Sequence, residues 1–176
     1  RDLGVRRDDD AVDATGDVVF VPALAGLGAP YWDPHARGLI YGLTRDTTAA
    51  HLARATLEGI AFQIVDLVDA MQADADRPIK RLRVDGGATR NDLLMQFEAD
   101  MLGVKIDRPE NVETTALGAA YLAGMAVGVF DGLSSIVDAY RIERSFDPQV
   151  TQPERDGHLR RWRDAVRRAR SEMGIK

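Results

Sequence analysis

The spacing of apolar residues divides the first part of this chain into two short strands and one long helix. Residues 18–24 and 38–43 are rich in β-branched and aromatic side chains, and the Gly- and Pro-rich loop between them predicts that the two strands pair. A helical period follows, from a capping threonine at Thr47 or Thr48 to about Gln72. Its apolar positions cover more than one stripe, which predicts a mostly buried helix.

The next part of the chain alternates between the strand period and the helix period. It predicts a strand at residues 81–85, a helix at 91–102, a strand at 105–107 ended by Pro109, and a helix at 114–127. Strand–helix–strand units of this kind connect parallel strands, because the helix returns the chain to the same end of the sheet. The pattern therefore predicts an α/β fold.

A last helix is predicted at residues 154–170, with Leu159, Trp162 and Val166 on its inner side. On the side opposite Trp162 and Val166 lie six arginines, Arg160, Arg161, Arg163, Arg167, Arg168 and Arg170. A basic helix can bind nucleic acid, but arginines opposite an apolar stripe are typical of a solvated helix face. The chain has a net charge of −5, whereas a nucleic-acid surface needs a basic excess. We therefore expect no nucleic-acid partner.

Composition excludes several other kinds of site. Apolar residues at 45% and charged residues at 29% are ordinary for a globular protein. The chain contains no cysteine, so it has neither a disulfide framework nor a thiolate nucleophile. The three histidines lack the spacing of metal ligands, and no metal site is expected. The longest apolar run, residues 116–130, is too short to span a bilayer at ~20 residues per helix, so no membrane partner is expected.

A candidate ligand-binding turn follows the strand at residues 81–85. It contains two glycines, Gly86 and Gly87, and a helix begins after it at Asn91. Glycine lacks a Cβ, so the backbone there can approach a ligand closely. The N–H groups at the start of the helix attract an anion such as phosphate. The segment is neither a GxGxxG turn nor a Walker loop, and strand–Gly–Gly–helix turns also occur for steric reasons alone. From these residues alone, a nucleotide cradle and a structural turn both remain open.

Longer segments of the chain resemble a known family. Residues 38–58 read GLIYGLTRDTTAAHLARATLE and resemble the C-terminal signature of the FGGY carbohydrate kinases. Residues 20–42, FVPALAGLGAPYWDPHARGLIYG, and residues 112–124, VETTALGAAYLAG, resemble the branch of this family that phosphorylates glycerol. The similarity extends over roughly residues 17–130.

This resemblance implies an α/β lobe of the actin-like, RNase H-like ATPase fold, with a mixed sheet flanked by helices. In the family, ATP and Mg²⁺ bind between two lobes, and a polyol or sugar is phosphorylated in the cytoplasm. Glycerol is the expected substrate. The alternatives are a kinase for another polyol or sugar, such as xylulose or gluconate, and a non-catalytic actin-like module that binds nucleotide.

The resemblance also implies roles for particular residues. Gly87 matches the family glycine whose backbone meets the nucleotide phosphates, with Gly86 beside it, and Asn91 matches the asparagine that reaches the adenosine side. The alternative for Asn91 is that its side chain only caps the helix, which asparagine does well. No catalytic residue is expected within the chain, because the resemblance places the catalytic aspartate in the first lobe.

By the same resemblance, the chain is expected to be a C-terminal kinase lobe that lacks the first lobe and the first strands of its own sheet. Its expected divisions are a loop at residues 1–16, a strand–loop–strand insertion at 17–46, a helix and βαβα core at 47–130, and a C-terminal extension with a helix at 131–176. The expected partners are glycerol, ATP, the first lobe of the same protein, and further copies in a homo-oligomer. Missing strands predict an uncovered apolar face or edge.

Two further expectations concern packing. The loop around residues 26–34 is interpreted as structural, with Trp32 as a packing anchor. In the helix predicted at 114–127, small residues would let another backbone approach closely, either at a hinge between lobes or in a tight core; they are Ala116, Gly118, Ala119 and Gly124.

Overall fold

The computed structural model describes residues 14–171, which form five α-helices and two small sheets. In chain order the elements are β1 (Val19–Val21), β2 (Leu39–Tyr41), α1 (Ala49–Ala75), β3 (Arg81–Arg83), a 3₁₀ turn (Gly87–Arg90), α2 (Asp92–Leu102), β4 (Lys105–Pro109), α3 (Thr114–Ala126), α4 (Leu133–Ala139), β5 (Ile142–Phe146) and α5 (Gln152–Ala169). Most of the loop expected at residues 1–16 lies outside the described residues.

The strand pairings confirm the predicted α/β organisation. β1 and β2 pair antiparallel, with Phe20 opposite Ile40. β3 and β4 pair parallel, as the strand–helix–strand pattern predicts. β5 then pairs antiparallel with β4, which makes a mixed three-stranded sheet in the order β3, β4, β5.

Two elements were not predicted from the sequence, the short helix α4 and the strand β5. β5 reads IERSF, and Phe146 is its only buried residue. An edge strand with its other side chains exposed carries little hydrophobic periodicity, so its sequence resembles a loop.

The core lies between α1, α2 and α5 and extends to β1. Trp162 of α5 is fully buried, and its ring stacks on that of Phe62 with centroids 5.1 Å apart. Its indole N–H donates to Asp66 Oδ2 at 2.7 Å, and the Tyr31 hydroxyl donates to the same oxygen at 2.9 Å. Leu159 and Val166 are buried beside Trp162, so the predicted inner side of the last helix is confirmed.

The prediction for Trp32 is wrong, because its side chain is 66% exposed. Its neighbours anchor the loop instead. Tyr31 reaches Asp66, and the buried carboxylate of Asp33 accepts bonds from the backbone N–H groups of Ala36 and Ser171 at 3.0 and 2.7 Å. The loop is therefore fixed by buried polar contacts to α1 and to the end of α5.

The helix α1 is less buried than its apolar pattern predicts. One face, which includes Gly59, Phe62 and Val65, is buried against the core, but Ile60 and Met71 remain 38% and 52% exposed. The breadth of the apolar pattern therefore overstates the burial of this helix.

The helix α3 differs most from expectation. None of its residues is buried, and a Cβ at Gly118 would meet no atom within 4 Å. Close backbone approach occurs instead at Gly59 of α1, where a Cβ would clash with the carbonyl oxygen of Phe20. Large apolar side chains are exposed in and beyond α3, and these are Leu122, Val127, Val129, Leu133 and Val137. That missing strands uncover an apolar face stays a prediction.

Candidate functional site

The two glycines predicted to approach a ligand lie in an open turn at the C-terminal end of β3. Gly86 has a φ of 86°, a conformation that favours glycine, and its N–H donates to the carbonyl of Val112 at 2.8 Å. Gly87 begins the 3₁₀ turn, and a Cβ on either glycine would meet no protein atom within 4 Å. The protein therefore leaves the space beside both α-carbons free for a ligand.

The turn is closed by its own hydrogen bonds. The backbone N–H and the hydroxyl of Thr89 both donate to the carbonyl of Gly86, at 3.1 and 2.7 Å. The N–H of Asn91 donates to the carbonyl of Ala88 at 3.1 Å. These bonds hold the chain between β3 and α2 in one compact conformation, with the N-terminus of α2 beside the glycines.

Asn91 is the N-cap of α2, and its Oδ1 accepts a hydrogen bond from the N–H of Leu94 at 3.0 Å. The capping interpretation of Asn91 is therefore confirmed. The nucleotide contact of Asn91 stays a prediction.

A buried arginine stabilises this turn through hydrogen bonds. Arg108 of β4 is only 7% exposed, and its Nη1 donates to the carbonyl of Thr89 at 2.7 Å and to Asp92 Oδ1 at 2.8 Å. Its Nε donates to Glu143 Oε2 of β5 at 2.6 Å. The other carboxylate oxygen of Asp92 pairs with Arg144 of β5. We call these four side chains the Arg108 network.

The Arg108 network favours the ionised form of Glu143. The hydrogen bond from Arg108 lowers the pKa of Glu143 below its usual range. In turn, the bond to Glu143 raises the pKa of Arg108. This network was not predicted from the sequence, because Glu143 and Arg144 belong to the strand β5, which the sequence pattern does not indicate.

Beside the turn lies an open groove of about 270 Å³, lined by Arg90, Arg108, Pro109, Glu110, Val112 and Glu143.

No group of three or more potential metal ligands occurs among residues 14–171. Within the same range, no helix is long and apolar enough to cross a membrane.

The six arginines predicted to lie on the solvated face of the last helix are exposed. Several pair with carboxylates or aromatic rings of the same chain. Arg168 contacts Asp164 at 2.9 Å and lies over the Tyr41 ring at 4.6 Å, while Arg161 pairs with Asp17. This helix face is therefore built into the packing of α5 against β2 and the segment before β1.

Comparisons with known proteins agree with this architecture. The FGGY family of carbohydrate kinases, C-terminal domain, matches residues 2–127. A glycerol kinase of Aromatoleum aromaticum is 58% identical over 153 residues, which is 87% of this chain and 31% of that protein. The crystal structure of Plasmodium falciparum glycerol kinase with ADP matches with a TM-score of 0.84 at 38% identity, covering 94% of this chain and 33% of that one. A ligand-bound xylulose kinase from Lactobacillus acidophilus has a TM-score of 0.72 and 27% identity, covering 91% of this chain and 32% of that one.

The chain thus spans about a third of the length of the relatives it matches. These neighbours are FGGY kinases with the actin-like, RNase H-like ATPase fold, so the predicted fold is confirmed. A family match that covers residues 2–127 includes the long helix, the glycine turn and α3. The chain belongs to the FGGY family of carbohydrate kinases.

Proposed function

We propose that the protein that carries this chain is an ATP-dependent glycerol kinase, which converts ATP and glycerol into ADP and glycerol 3-phosphate. The observation that supports glycerol best is the 58% identity to a glycerol kinase, against 27% to a xylulose kinase of solved structure. The residues that read the polyol are expected in the first lobe, so this preference rests on overall similarity.

Within that enzyme, this chain would hold the nucleotide. The backbone of Gly87 and the N-terminus of α2 would face the phosphates, because the turn is open and helix N–H groups attract anions. Asn91, at the N-cap of α2, would lie on the adenosine side of the nucleotide, as the family resemblance implies. The ADP in the related Plasmodium falciparum structure supports a nucleotide in this fold. Mg²⁺, when bound with ATP, would neutralise charge on the phosphates.

The contribution of this chain to the chemistry would be positioning and electrostatics. In an in-line transfer, the glycerol hydroxyl attacks the γ-phosphate, and its proton passes to a carboxylate that the family resemblance places in the first lobe. The glycine turn would keep the phosphates fixed during that transfer. A homo-oligomeric state and a cytoplasmic location are further parts of the proposal, supported by the resemblance alone.

The substrate is tested by assaying the intact protein with ATP on a panel of glycerol, xylulose and gluconate. We expect kcat/KM to be highest for glycerol. A higher kcat/KM for the pentulose or for gluconate would replace glycerol with that substrate and leave the family assignment standing.

A non-catalytic nucleotide-binding module is the second candidate. It is separated from a kinase by whether the intact protein, given ATP, phosphorylates any polyol or sugar of this panel. The 176-residue chain alone is expected to form none, because the base and half of the cleft would be absent. Measurable glycerol 3-phosphate production by the purified chain would contradict the proposal that catalysis also needs the first lobe.

A further inference from the structure

The first residue of α2 creates an electrostatic conflict that the Arg108 network resolves. Asp92 carries its carboxylate at the helix end that the proposed site turns toward the phosphates. A carboxylate there is favourable for the helix itself, but it repels an incoming anion and cancels part of the attraction of the helix terminus. An anion site at this helix therefore needs the charge of Asp92 to be neutralised.

Two arginines from neighbouring strands supply that neutralisation. One carboxylate oxygen of Asp92 accepts a bond from Arg108 at 2.8 Å, and the other pairs with Arg144. With Glu143 bound to Arg108 Nε at 2.6 Å, the network contains two carboxylates and two guanidinium groups, so its formal charge is zero. The loss of either arginine would leave a net negative charge beside the glycine turn.

Packing keeps both guanidinium groups in place. Arg108 and Arg144 lie 5.3 and 4.8 Å from the centroid of the Phe146 ring, which is itself buried. Arg108 also binds the carbonyl of Thr89, inside the 3₁₀ turn. The same side chain therefore fixes the turn mechanically and balances the charge at the helix that follows it.

We propose that Arg108 and Arg144 are positioning residues for nucleotide binding: they hold the glycine turn through Thr89 and neutralise Asp92, so that the N-terminus of α2 can receive the phosphates of ATP. This inference rests on the proposed function, since it assigns a role to residues that support the proposed site without contacting the nucleotide.

The test measures the ATP and glycerol constants of the intact kinase for a graded set of variants. Arg144 is half-exposed, so Arg144→Met removes its charge with little effect on folding. We expect the apparent ATP constant to rise by about two- to fivefold, the range of a charge at a helix terminus, with glycerol saturation unchanged. Arg108→Met also releases Thr89 and is expected to raise the ATP constant by about tenfold or more.

A second substitution distinguishes the effect of the unbalanced charge of Asp92 from a structural effect of losing Arg144. Adding Asp92→Asn to Arg144→Met removes the unbalanced carboxylate and should return the ATP constant to within about twofold of the wild-type value. Arg163→Met on α5 is the matched control, because Arg163 is exposed and pairs with Asp69 at 4.0 Å, away from the turn. Its ATP constant should equal that of the wild type.

Two results would overturn the inference. One is an ATP constant for Arg144→Met equal to that of Arg163→Met. The other is a raised constant that Asp92→Asn does not restore. If Arg108→Met fails to fold, the Arg144 and Asp92 variants still decide the question. Failure of the proposed function is distinct, because the wild-type protein would then show no ATP-dependent phosphorylation of glycerol.

Discussion

The two sides of this molecule differ in how far they are packed. On one side α1, α2 and α5 enclose Phe62, Phe97 and Trp162, and the buried indole N–H of Trp162 is paired with Oδ2 of Asp66. On the other side α3 has no buried residue, and apolar side chains from Leu122 to Val137 face outward. The packed side buries its apolar side chains, whereas the α3 side leaves apolar side chains exposed, which is typical of an interaction surface.

The largest effect expected from this comparison is on stability. Trp162→Ala removes a fully buried ring and one donor to Asp66, and we expect a loss of about 3–5 kcal/mol. Leu122→Ala on α3 is the matched control, since Leu122 is 65% exposed and should change stability by less than about 0.5 kcal/mol. Urea unfolding of the 176-residue chain measures both. Equal losses in the two variants would remove the distinction between the sides.

The packed side also contains a group that weakens it. Glu98 of α2 is 4% exposed, and burial raises its pKa to about 7, above the ordinary 4.5. Because the folded state binds this proton more tightly than the unfolded state, stability should fall as the pH rises from about 4.5 to 7.

The variant Glu98→Gln tests this directly. It should remove the pH-dependent loss and stabilise the chain at pH 8 by on the order of 3 kcal/mol, with little gain at pH 4. Thermal unfolding at both pH values is the measurement. A gain of the same size at pH 4 and pH 8 would exclude ionisation of Glu98 as the cause.

Glycines in two helices provide a further test of the difference between the packed side and the α3 side. A Cβ at Gly59 of α1 would clash with the carbonyl oxygen of Phe20, so Gly59→Ala should cost about 1–3 kcal/mol. Gly118 of α3 has open space around it, and Gly118→Ala should stabilise the helix by about 0.5–1 kcal/mol. Opposite signs in a denaturant titration are the expected result. A loss at Gly118 would mean that α3 packs more closely than its exposure indicates.

A smaller loss of stability is expected at Asn91. Asn91→Ala removes the cap of α2 and should cost about 1 kcal/mol, whereas Asn91→Ser keeps a capping oxygen and should stay near the wild type. Both variants lose the amide donor, so both should raise the apparent ATP constant of the intact kinase by about two- to tenfold. Unchanged ATP constants in both variants would leave Asn91 a helix cap alone.

The sequence predicted the parts of this molecule whose signals are local. The capping threonine of α1, the parallel β3–β4 pair and the inner face of α5 follow from residue type and periodicity. The sequence did not predict β5, whose single buried residue is Phe146, and it did not predict the exposure of Trp32. In both places the burial of one aromatic side chain depends on neighbours that are distant in sequence.

The candidate site divides in the same way. Gly86, Gly87 and Asn91 were identified from a strand, a glycine pair and a helix start, all within one short segment. The Arg108 network was not identified from the sequence, because Arg108 and Glu143 are separated by 35 residues and come into contact only when β5 pairs with β4. Local patterns thus indicate where a ligand can approach, and tertiary structure shows what holds that place rigid.

The central claim is that the backbone at Gly87 meets the nucleotide, and Gly87→Val in the intact kinase tests it most directly. A Cβ added at this α-carbon would have no atom beyond the neighbouring residues within 4 Å, so we expect the new side chain to meet a bound ligand rather than the protein. Gly28→Val, at another glycine with open space, is the matched control. We expect Gly87→Val to raise the apparent ATP constant by about tenfold or more while glycerol saturation and the melting temperature stay near those of the control. An ATP constant equal to that of Gly28→Val would contradict the account.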